Sequence, residues 1–179
     1  MIIDERKARK EFMTEVAKQM MTAARTAPKG KGIDIIEIVT LTDDDIAAVS
    51  RQMLQMAEDT GMKFLIRDSE NIRQADAMIV IGTRQAVQGL NCAYCGYATC
   101  EAKPQAVPCA INAIDVGIAV GSACAKAADL RVDSRVMFSA GWAAEKAGIL
   151  KGCRQCIAIP ISASSKNPFF DRKPKEEKK

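Results

Sequence analysis

A chain of 179 residues with 48% hydrophobic and 27% charged side chains has the balance of a soluble globular protein, long enough for one well-buried core and short for two. Its formal charge of +4 comes mostly from residues 172–179, which carry five positive and two negative groups. What remains is nearly neutral and only 4% aromatic, which excludes a basic face for nucleic acid. Residues 1–171 therefore read as a single α/β domain, and 172–179 as a solvated, disordered basic tail.

The start, Met1 to Lys7, turns charged before any apolar run can form, so no secretory signal is expected. From Asp4 to Arg25 the apolar positions Phe12, Met13, Val16, Ala17, Met20 and Ala24 recur at steps of three and four, the signature of an amphipathic helix. Pro28, Gly30 and Gly32 end it in a loop. Ile33 to Leu41 reads as a buried strand. Thr42 with Asp45 three residues on predicts a helix N-terminus, and the helix it opens turns Ile46, Val49, Met53 and Met56 inward before stopping near Gly61. Met62 to Ile66 and Ala77 to Gly82 read as strands, separated by a helical turn around Ser69 to Gln74.

After the second of these comes a cysteine-rich stretch, residues 90–110, and then a long helix from Ile111 to Leu130. The longest apolar run inside that helix, Ala113 to Ala125, contains Asp115 and is too short to span a bilayer, so a cytoplasmic protein is expected. Arg135 to Gly141 reads as a strand, Trp142 to Gly148 as a short helix and Gln155 to Ile161 as the last strand. Helices alternating with buried strands predict an α/β or α+β fold in two or three layers, with a mixed sheet of about four to five strands flanked by helices.

Four of seven cysteines fall within eighteen residues, spaced C-x2-C-x4-C-x8-C: Cys92, Cys95, Cys100 and Cys109. In a reducing compartment, with an odd cysteine count, such clusters bind metal or carry redox chemistry more often than they form disulfides. A [4Fe-4S] cluster needs four soft thiolate donors, and this stretch supplies four. Gly96 can take positive φ and let the loop reverse around a cluster, Pro108 stiffens the approach of Cys109, and Tyr94 and Tyr97 are placed to shield it. Two other readings compete: cysteine as a small buried hydrophobe, and a four-thiolate zinc site pairing Cys92/Cys95 with Cys153/Cys156 in a structural or interaction module. Cys124, among small helical residues, reads as packing. Cys153-Arg154-Gln155-Cys156 reads either as a dithiol whose thiolate Arg154 favours or as two cysteines by chance at a strand start.

The run Asn91 to Gly96 with Cys100, the segment Ala23 to Asp34, and the blocks Asp115 to Ala123 and Lys166 to Arg172 resemble the uncharacterised ferredoxin-domain-containing proteins across nearly the whole chain. That resemblance implies an iron–sulfur cluster at the matching cysteines. Ala93 stands where the family usually has glycine, and the Cys153/Cys156 pair lies outside the shared pattern. A more distant likeness is to nitroreductase-like flavoproteins, which implies a homodimer and FMN near Arg25, Pro28, Lys29 and Lys31; a plain connection with solvent-facing lysines is the competing reading. The function expected from all of this is electron transfer to a redox partner protein, or a flavin-linked oxidoreductase activity, without membrane or nucleic acid.

Overall fold

Asp4 accepts a hydrogen bond from the N–H of Arg6 at 3.0 Å and opens α1 (Glu5–Thr26), which buries Met13, Ala17, Met20 and Ala24 on one face. Phe12, expected on that face, lies largely in solvent. The structure is a computed structural model that describes residues 1–170; the expected basic tail lies outside the described residues. A single 3-10 turn over Gly30–Gly32 delays the first strand, so β1 is Ile36–Leu41.

The second helix, α2 (Asp43–Thr60), buries the four expected residues, Ile46, Val49, Met53 and Met56. Thr42 occupies its N-cap, but the hydroxyl makes no capping bond; Asp43, Asp44 and Asp45 in the first turn complement the helix dipole instead. Met62 to Ile66 is not a strand. The chain forms α3 (Phe64–Ile72), with Leu65, Asp68, Ser69 and Ile72 buried at helical spacing and the Ser50 hydroxyl donating to the Ser69 carbonyl at 3.1 Å.

The remaining elements are β2 (Ala77–Arg84), α4 (Ala110–Asp129), β3 (Asp133–Ser134), α5 (Phe138–Lys146) and β4 (Cys153–Ser162). Between Arg135 and Gly141 the expected strand shrinks to one bridge, Met137 to Ala158, before α5 begins. Gly141 is the reason: a Cβ there would stand 2.1 Å from the Cys156 carbonyl oxygen, so only glycine lets a helix lie this close on β4.

Among the described residues the sheet runs β1-β2-β4-β3 with every ladder antiparallel, where a mixed sheet was expected. Two helices rather than one separate β1 from β2, and the second helix returns the chain so that β2 runs against β1. Along β2 the side chains alternate: Ala77, Ile79 and Ile81 pack beneath α1 and α4, while Met78 and Val80 pack beneath α2, α3 and α5. The result is an α+β fold of three layers. By length and composition α4 is apolar enough to cross a membrane, with a mean hydropathy of 1.3, more than the run Ala113 to Ala125 indicated. Its face bearing Val116, Ala119, Ala123 and Ala127 is core.

Candidate functional site

Residues 85–109, which join β2 to α4, contain no helix or strand. The loop reverses at four left-handed residues, Gly89 (φ 68°), Asn91 (φ 49°), Ala93 (φ 60°) and Gly96 (φ 87°). Gly96 is where the sequence placed such a turn; Ala93 occupies the same region at some steric cost. The Cys100 N–H donates to the Asn91 side-chain oxygen at 2.8 Å, and the Gly96 N–H to the Ala93 carbonyl at 2.9 Å. Tyr94 is 72% exposed and so shields nothing in this arrangement, while Tyr97 is half-buried.

Cys92, Cys95, Cys100 and Cys109 are free, half-buried thiols. Among the described residues no three Cys, Asp or Glu side chains converge closely enough to hold a metal ion. The four loop thiols thus share one irregular segment without meeting at one point. In kind the donor set fits a cluster: four soft sulfurs, on backbone that no helix or sheet ladder must surrender to gather them.

Cys109 is the most strongly organised of the four. It is the N-cap of α4. Burial would push its thiol up, but N–H groups of Asn112, Gln88 and Ile111 directed at the sulfur, with Lys103 nearby, bring it below the ordinary thiol range. Cys109 also borders a cleft of about 700 Å³ between the end of β2, the loop, α4 and the start of β4. Three cations edge the cleft. Arg84 pairs with Glu37, and Arg154 with Glu145 at 3.0 Å, whereas among the described residues Lys103 donates only to the carbonyls of Pro104 and Val107, at 3.1 and 2.5 Å.

A buried amide relay ties the loop to the helix behind the cleft. The Asn112 amide nitrogen donates to the Ala86 carbonyl at 2.5 Å, and its oxygen accepts from the Gln88 amide at 3.2 Å. That order fixes both amide orientations and leaves Gln88 Oε1, on a side chain only 3% exposed, without a partner. Arg84, Gln88, Lys103 and Asn112 were not singled out from sequence, and Arg154 was named there only as a neighbour of Cys153 and Cys156. Asn112 and Asp115, polar residues three apart on an otherwise apolar helix, were the available signal.

The residues expected near a flavin lie at the end of α1 and in the loop after it. Arg25 donates to the Asp34 carboxylate at 2.8 Å and to the Ile36 carbonyl at 2.7 Å. Lys29 spends its ammonium on the carbonyls of Ala24, Arg25 and Ala27, at 2.9, 2.5 and 2.7 Å, capping α1, and burial pushes it below the ordinary lysine range. Lys31 donates once, to the Gln88 carbonyl at 2.9 Å, which joins this loop to the cysteine loop. Pro28 directly follows Ala27, the C-cap of α1. Cys124 packs against the α1/α4 core, and burial raises its thiol. Cys153 and Cys156 are buried in the opposite core, apart from the loop that carries Cys92 and Cys95.

Residues 105–172 match the family described as uncharacterized protein containing a ferredoxin domain. An uncharacterized protein of Archaeoglobus fulgidus is 37% identical over 186 residues, covering 98% of this chain and 100% of that one. The chain belongs to this family. Of the four loop cysteines, Cys109 falls within the matched segment and the other three precede it. The fold is nitroreductase-like. It is similar to nitroreductase CinD from Lactococcus lactis in complex with nicotinic acid, with a TM-score of 0.61, 15% identity, and coverage of 92% of this chain and 81% of that one. It is also similar to a nitroreductase in complex with FMN from Desulfovibrio desulfuricans, with a TM-score of 0.57, 14% identity, and coverage of 89% and 79%.

Proposed function

We propose that this protein is an iron–sulfur redox protein in which Cys92, Cys95, Cys100 and Cys109 hold a [4Fe-4S] cluster. The observation that carries the reading is Cys109: a half-buried sulfur at a helix N-terminus, met by main-chain N–H groups, at the end of a loop with three further free thiols. Such N–H groups favour an anionic sulfur, the form in which cysteine binds iron. When bound, a cluster of this kind supplies one-electron transfer at a potential set by burial, charge and hydrogen bonds to sulfur.

The protein's own part is to fix the fourth donor on a rigid helix, to hold the loop by the Asn91–Cys100 bond, and to present a cleft edged by Arg84, Lys103 and Arg154 beside it. That cleft suits an anionic acceptor or the acidic face of a redox partner protein. A flavin is a further element of the reading, drawn from the fold likeness and from the neighbours that contain FMN. Lys29 is fully committed to carbonyls, so Lys31, which makes a single bond, is the cation best able to meet a flavin phosphate.

A homodimer completes the proposal. Ile114, Gly117, Ile118 and Gly121 form one stripe on α4 that faces away from the core, next to exposed Val136 and Phe138. Among the described residues, nothing outside the helix's own backbone lies within 4 Å of where a Cβ would stand at Gly117 or Gly121, so a second helix has room to approach.

Anaerobic purification followed by iron, acid-labile sulfide, zinc and flavin assays tests the whole reading. Equal iron and sulfide with a colour that reductant bleaches is expected, and Cys109→Ala should abolish it while Cys124→Ala should not. A colourless, zinc-bearing protein would overturn electron transfer in favour of a structural zinc module. Absence of a yellow chromophore on denaturation would remove the flavin alone.

A further inference from the structure

Cys153 and Cys156 stand three residues apart on β4, a spacing that in a regular strand puts two side chains on opposite faces. Here they share a face. The register across β2 steps from Ile81 opposite Ile157 to Thr83 opposite Arg154, so Gln155 and Cys156 together oppose the single residue Gly82. Gln155 takes φ 53° to form this bulge. The extra residue corrects the phase. Both cysteines enter the core on the α2/α3/α5 side, with Leu150 packed against them. A Cβ at position 82 would meet Cys156 Sγ at 2.6 Å and Cys153 Cβ at 3.2 Å, so the pair closes over the space that glycine leaves.

We propose that Cys153 and Cys156 form a two-electron dithiol site that exchanges with low-molecular-weight disulfides. Cys153 is the entry point. Itself 5% exposed, it borders a surface opening edged by Glu37, Arg84 and Lys151, whereas Cys156, 2% exposed, borders no part of that opening. The Cys153 thiolate attacks one sulfur of a disulfide RSSR, forming a mixed disulfide and releasing RS⁻. The Cys156 thiolate then attacks the Cys153 sulfur, closing the internal S–S bond and releasing the second RS⁻. The two cysteine protons end on the two released thiolates, and the two electrons lost by the protein are those that reduce RSSR to two RSH.

Burial pushes the Cys153 thiol up, and burial, then the charge of Glu145 and the neighbouring Cys153, pushes the Cys156 thiol up to about 12, so little thiolate forms and exchange is slow. It does not depend on what the cysteine loop binds.

Trypsin makes the test unambiguous. Cleavage after Lys151, Arg154 and Lys166 puts Cys153 in Gly152–Arg154 and Cys156 in Gln155–Lys166, while the other five cysteines share Gln85–Lys126 because Pro104 protects Lys103. The full chain, purified without oxygen, is equilibrated with glutathione and glutathione disulfide, acid-quenched, alkylated and digested. The expected product is Gly152–Arg154 linked to Gln155–Lys166, lost on adding dithiothreitol, at a linked-to-reduced ratio at least about tenfold above that of the urea-unfolded chain at the same glutathione ratio.

A native ratio no higher than the unfolded one would overturn the proposal, as would a Cys153 linked only to Gln85–Lys126. Cys156→Ser should trap glutathione on Cys153. A folded Cys156→Ser chain without that adduct would overturn it too.

Discussion

Both carboxylate oxygens of Asp115 accept from the backbone N–H of Gly30, at 2.9 and 3.1 Å, across 85 residues of chain. The bond pins the loop after α1 to α4 at a point where Asp115 is almost wholly buried. Removing the acceptor would leave the Gly30 N–H facing a hole. Asp115→Ala should cost about 1–3 kcal/mol in urea unfolding, and Asp115→Asn, which keeps an oxygen, less. Gly30→Ala should destabilise as well, because its Cβ would stand 2.6 Å from Cγ2 of Ile111, a β-branched side chain with little room to turn. Wild-type unfolding midpoints in these variants would mean that the loop is held elsewhere.

The contact of α5 with β4 is tighter still. At Gly141 an added Cβ would meet the carbonyl oxygen of Cys156 at 2.1 Å and the Cα of Ile157 at 2.6 Å, both main-chain atoms of a central strand. Neither can yield without moving the sheet. Gly141→Ala should therefore cost about 3 kcal/mol or more, visible as a large fall in melting temperature. A variant that melts like the parent would show that α5 does not lie so close.

The exposed stripe of α4 gives a different kind of prediction. Ile118→Lys leaves the core side of the helix untouched, so the chain should stay folded while a dimer built on this face dissociates. Light scattering decides it: equal masses for the variant and the parent would rule out this face as the interface.

These contacts also explain which parts of the molecule were legible in the sequence. The faces of α1 and α2 were readable because Met13 to Ala24 and Ile46 to Met56 keep a 3.6-residue period over several turns, whereas α4 was read as a helix without its buried face. Met62 to Ile66 was misread because five apolar-rich residues fit a strand or a helix equally; burial of polar Asp68 and Ser69 decides for the helix, and nothing local announces it. Arg135 to Gly141 was misread for the same reason, although Ala140, Gly141, Ala143 and Ala144 hinted at close helix packing. Of the candidate site, the four loop cysteines were legible by kind and spacing. The cleft beside them was not, because Arg84, Lys103, Asn112 and Arg154 come from four separate segments joined only by the fold. Nor does any residue type betray the bulge at Gln155, which takes a left-handed conformation without being glycine.

Ala93 carries the opposite lesson, since the resemblance marked the position and the backbone explains it. Its φ of 60° is a region where a Cβ costs about 1–2 kcal/mol, and glycine would relieve that at some loss in the entropy of the unfolded chain. Ala93→Gly should therefore stabilise the loop by about 1 kcal/mol or less. Slower hydrogen exchange at the Cys100 N–H, which is bonded to Asn91 across the turn, is the expected sign. Faster exchange would show that the alanine is not strained.

The Arg25–Asp34 pair makes a pH prediction. Burial would push the Asp34 carboxyl up, but the Arg25 guanidinium and the Ile36 N–H, the latter at 3.1 Å, outweigh it and hold the group below the ordinary aspartate range. A carboxyl depressed by folding contributes stability that is fully present above its unfolded value of about 4 and is lost as the pH falls through the lower folded value. Both side chains are more than a third exposed, so solvent screens the pair and its contribution should stay below about 1 kcal/mol. Asp34→Asn should accordingly be less stable than the parent near about pH 6, with the gap narrowing toward about pH 3. Urea midpoints measured across that window check it: a gap that does not change with pH would mean that the carboxylate charge contributes nothing.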